Sequence, residues 1–89
     1  MAIRKRYSQI LRNYFYHQLI QTRERLGATQ AEMAERLAMD ARSYIELDHG
    51  NSCCSGLTLA LFLAFCCDDL TDFVVGLRQA FEQGAGYAA

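Results

Sequence analysis

Four cysteines, two histidines and two adjacent aspartates are the residues of this 89-residue chain best suited by type to hold a metal or carry a reaction. The cysteines fall as Cys53-Cys54 and Cys66-Cys67. Zinc sites commonly leave two residues between paired ligands so that both sulfurs reach one ion, and immediate neighbours do not meet that spacing. Reduced, structural thiols are therefore expected. His17 and His49 have no partners at ligand spacing; His49 falls where a helix should end and a cation would suit its dipole. Asp68-Asp69 reads as negative charge at a helix start rather than an acid–base pair. With no glycine-rich phosphate loop and no nucleophile–base set, the chain is expected to have no catalytic residue, no metal ligand and no cofactor, and not to be an enzyme.

The remaining chemistry is hydrogen bonding from the stretch Thr29 to Gly50, TQAEMAERLAMDARSYIELDHG. Thr29 is a good N-cap and Glu32 completes the T-x-x-E capping box, so a helix is predicted over Gln30 to about Leu37 with Met33, Ala34 and Leu37 inward. Ala38 and Met39 form the turn. Asp40 caps a further helix through about Asp48, with Tyr44 and Leu47 inward and Gly50 as its stop. Its outward face then carries Ala41, Arg42, Ser43, Ile45 and Glu46, an arrangement suited to touching another molecule.

The rest of the chain must position that face. No proline and only six glycines interrupt it, and residues of good helix propensity dominate. At 52% hydrophobic it can close one core but not two, so the expectation is all-α, one compact five-helix domain. Residues 1–6 are expected as a basic arm, 7–83 as the domain and 84–89 as a flexible tail. A first helix is predicted from about Tyr7 to Leu26, where Ile10, Leu11, Tyr14, Phe15, Leu19 and Ile20 make an apolar stripe ended by Gly27. Asn51 to Gly56 reads as a loop with Ser55 a cap. A fourth helix from Leu57 to about Cys67 is apolar almost all round. A fifth opens at Asp68-Asp69, with Leu70, Phe73, Val74, Leu77 and Phe81 as its stripe.

Charge is unevenly spread, +5 over residues 1–25 and −6 over residues 26–89. Lysine and arginine release condensed counterions at phosphates, so Arg4, Lys5 and Arg6 are candidate contacts to a nucleic-acid backbone. The longest apolar run, Leu59 to Cys67, is half the ~18 residues a bilayer requires, and no signal peptide is evident; a soluble, cytoplasmic protein is expected, with no membrane partner.

The residues Thr29-Gln30, Met33-Ala34, Leu37, Met39, Tyr44, Leu47 and Gly50, with Arg23 and Gly27 upstream, resemble the lambda-repressor-like, or XRE-type, helix-turn-helix family over roughly residues 19–75. Ala38 stands where the family favours glycine, Thr22 and Ala28 stand where it places aliphatic residues, and Glu46 stands where it often has a basic or amide side chain. Leu26 offers compensating apolar volume. The resemblance implies a sequence-specific regulator of transcription that binds double-stranded DNA as a homodimer. Gln30 would touch a phosphate, and Ala41, Arg42, Ser43, Ile45 and Glu46 would face the major groove. The apolar surplus at Phe73, Val74, Leu77 and Phe81 would form the dimer interface. The competing expectation is a protein-interaction module on the same scaffold, its acidic third helix binding a protein instead. Operator, regulated gene, sense of regulation and any small-molecule effector leave no mark in the sequence.

Overall fold

A computed structural model describes residues 2–88, with five helices and no strand among them: α1 (Ala2–Leu26), α2 (Gln30–Arg36), α3 (Ala41–Asp48), α4 (Gly56–Phe65) and α5 (Leu70–Ala88). The all-α expectation holds. The radius of gyration, 13.2 Å, is near the ~13 Å of a folded chain of about this length. No described helix is long and apolar enough to cross a membrane.

The core joins residues from every helix. Phe15 and Leu19 of α1, Met33, Ala34 and Leu37 at α2, Tyr44 and Leu47 of α3, Phe62 and Cys66 at α4, and Phe73 of α5 are all buried. Each large side chain among them contributes about 1.5–3 kcal/mol through surface removed from water. Phe62 lies between Phe15 and Phe73, with ring centroids 5.1 and 5.6 Å away, tying α1, α4 and α5 together.

Three helix ends close with one motif. At Gly27 the Gly27 N–H donates to Glu24 O and Ala28 N–H to Arg23 O; at Gly50 the acceptors are Leu47 O and Glu46 O. Both glycines sit in the left-handed region, φ +64° and +73°, which such a helix stop requires. The α2 end repeats the pattern, Ala38 N–H to Glu35 O and Met39 N–H to Ala34 O, with an alanine at φ +54°. The α2 end thus closes without a glycine and puts the strain of the left-handed conformation on Ala38.

The structure adds detail to three expectations. The segment foreseen as an arm, residues 1–6, is helical from Ala2 onward, because nothing in Ile3-Arg4-Lys5-Arg6 stops a helix. The foreseen tail, 84–89, continues α5 through Ala88, and Arg6 Nε donates to Gly84 O across 2.9 Å. Met1 and Ala89 lie outside the described residues. Leu26, at 38% exposure, supplies no core volume; Thr22 itself is buried.

Candidate nucleic-acid interface

α2 begins as its sequence requires. Glu32 N–H donates to Thr29 Oγ1 at 3.1 Å and Thr29 N–H to Glu32 Oε1 at 2.8 Å. Those two bonds satisfy orphan amides at the helix start. Hydrogen bonds from Thr29 also hold the Glu32 carboxyl below its ordinary range. α3 begins the same way: Ser43 N–H donates to Asp40 Oδ1 at 2.8 Å and the Ser43 hydroxyl to Oδ2 at 2.9 Å. Asp40 is likewise pulled down, first by the Ser43 amide.

These caps set the phase of α3. Tyr44, Leu47 and Asp48 point inward, while Ala41, Arg42, Ser43 and Glu46 are exposed and Ile45 is half-buried. The side chains expected to face outward are thus on one accessible side, except that the Ser43 hydroxyl is engaged by Asp40 and Ile45 is partly covered. Arg42 carries the one positive charge on that face, with Asp40 and Glu46 of opposite sign on the same helix.

Behind this face lies a polar node. The Asp48 carboxylate, 3% exposed, accepts from Arg23 Nη2 at 3.2 Å, Gln30 Nε2 at 3.0 Å and the Tyr44 hydroxyl at 3.2 Å. Burial, then the adjacent Asp48 charge, pushes the Tyr44 phenol well above its usual range, so it stays a donor. The node links α1, α2 and α3 and fixes how α3 is presented. Gln30, expected at a phosphate, is half-buried and directs its amide into this node. Sequence reasoning misses Asp48, although an acid in the last turn of a helix opposes the dipole and so signals a cationic partner.

The basic end of α1 lies beside the loop after α3, where Cys53 Sγ comes within 3.9 Å of Ser8 O. Arg4 and Lys5 are exposed; Arg6 is half-buried against α5. Successive helical residues point about 100° apart, so the three do not act as one flexible strip. A shallow cleft of about 280 Å³ runs between α3 and that loop, lined by Met39, Glu46, Ser52, Cys53 and Cys54. All four cysteines are free thiols. Burial pushes Cys54 up to about 11, which keeps it protonated and unreactive.

The residues expected at a dimer interface divide. Phe73, 2% exposed, is core and unavailable to a partner, because Tyr14 and Phe62 cover it. Phe81 stacks edge-on against Tyr7 at 5.2 Å, Leu77 packs on the core, and Val74 is exposed. Comparison of the chain with protein-family models, with curated proteins and with solved structures finds no match in any of the three.

Proposed function

We propose that this protein is a sequence-specific DNA-binding regulator of the lambda-repressor-like helix-turn-helix type, acting as a homodimer and inserting α3 into the major groove. The observation that carries the reading is the accessible face Ala41-Arg42-Ser43-Glu46, held outward by a capped helix start and by the Asp48 node beneath it. Arg42 donates a bidentate pair to a guanine edge, Ala41 meets a thymine methyl and Glu46 accepts from a cytosine amine. Lys5 and Arg4, one turn from the loop after α3, supply charge for the phosphates.

A mobility-shift titration against a randomised duplex pool at two salt concentrations tests this. Selective enrichment of one sequence, with affinity falling steeply as salt rises, is the expected result. Affinity for no duplex at low salt overturns it. The second reading, a protein-binding module, is favoured by Glu46 and Asp40 flanking a single arginine on the exposed face. Under that reading Glu46→Gln would create DNA affinity that the parent lacks.

A further inference from the structure

The outer face of α4 carries no polar side chain. Of its ten residues only Thr58 is polar, and Thr58 is buried. The residues turned to solvent are Leu57, Ala60, Ala64 and Phe65, with Leu61 half-buried among them; Leu57 and Phe65 are each 69% exposed. Leu70 and Val74, four apart at the start of α5, are exposed too. A surface helix ordinarily turns charge outward.

From the α4 face we infer that a second copy of this chain covers it, the two α4 helices crossing antiparallel about a twofold axis near Leu61. An isologous contact requires a surface that complements itself, and this helix has a large residue at each end with alanines between. Antiparallel pairing sets Phe65 of each copy at the Leu57 end of the other, and Ala60 and Ala64 let the axes come close. The same pairing brings the segment after α4 toward the positive N-terminal end of the partner's α4; there Asp68 is paired with Arg25 at 2.6 Å and Asp69, which caps α5 by accepting from Asp72 N–H at 3.0 Å, carries a negative charge uncompensated among the described residues. Leu57 and Phe65 on α4, and Leu70 and Val74 just beyond it, are each more than half exposed, an apolar surface of roughly a few hundred Å² set against the ~800 Å² per partner of a standard interface. The inference rests on the homodimeric regulator reading for its purpose and moves the interface off Phe73 and Phe81.

Sedimentation equilibrium of the full chain without DNA tests it, with DNA affinity measured separately. The parent should be a dimer at micromolar concentration. Phe65→Glu and Leu57→Lys should each raise the dimer dissociation constant by about a hundredfold with helicity retained, and lower the melting temperature only by the part that depends on protein concentration. Mixing the two variants should restore dimers, since the carboxylate introduced in one then faces the ammonium introduced in the other across the axis. A monomeric parent, dimers indifferent to both changes, or a mixture that stays monomeric each overturns the inference. Sequence-selective binding by such a monomer would leave the DNA reading standing, and dimers without DNA affinity would sink only that reading.

Discussion

Gln30 donates its side-chain amide to the Asp48 carboxylate across 3.0 Å, so the first residue of α2 and the last of α3 are joined through a buried anion. Arg23 and Tyr44 complete its coordination. Asp48→Ala strips three donors of their acceptor at once and should cost about 2–4 kcal/mol in a denaturant titration, against about 1 kcal/mol for Gln30→Ala. If Gln30 were chiefly a phosphate ligand, its substitution would leave stability unchanged and weaken DNA binding alone.

Ala38→Gly should stabilise the protein. An L-residue in the left-handed region carries about 1–2 kcal/mol of strain, while glycine's greater freedom in the unfolded chain returns roughly 0.5–1 kcal/mol. The net gain of about 0.5–1 kcal/mol is a rise of a few degrees in melting temperature, readable by calorimetry.

Gly76→Ala should act in the opposite direction. A methyl group there would run into the Tyr14 hydroxyl, which donates to Phe73 O at 2.7 Å where α1 and α5 meet. Overpacking of this kind costs about 1–3 kcal/mol. Tyr14→Phe in the same background should recover part of the loss, because the clash is with the hydroxyl oxygen.

Acid should weaken the α2 and α3 starts specifically. Glu32 and Asp40 have depressed carboxyl pKa values, so the stability they confer is present above the unfolded-state value near ~4 and is lost as pH falls through the lower folded-state values. Thermal melts from pH 5 to pH 2.5 should show a smaller acid loss in Glu32→Gln and Asp40→Asn than in the parent.

On DNA, Arg42→Ala should flatten discrimination at one base pair by about 1–3 kcal/mol, whereas Lys5→Ala should weaken binding to all sequences alike and reduce the salt slope by about 1. Competition titrations at several salt concentrations separate the two. Equal losses on every sequence for both variants would place Arg42 at the phosphates.

Local signals carried most of the fold. The Thr29–Glu32 box, the Asp40 cap and the stops at Gly27 and Gly50 depend on residues within five positions of one another, and the helices begin or end there. Long-range partners were out of reach of such reasoning. Phe73 and Val74 both fit the α5 stripe, and only packing against Tyr14 and Phe62 decides that the first is core and the second faces water. For the same reason α4, apolar on nearly every side, gave no phase until Thr58 and Phe62 were seen to be its inner face. At the candidate interface, exposure of Ala41, Arg42, Ser43 and Glu46 followed from periodicity, whereas the tie from Gln30 to Asp48 did not.

Arg6 and Gly84 meet although 78 positions separate them, and Tyr7 stacks on Phe81 beside them. α1 therefore stays open along one side until α5, about 45 residues further along the chain, has left the ribosome. A growing chain halted before Phe73 would expose Phe15 and Phe62 together, a sticky intermediate of the kind that chaperones hold.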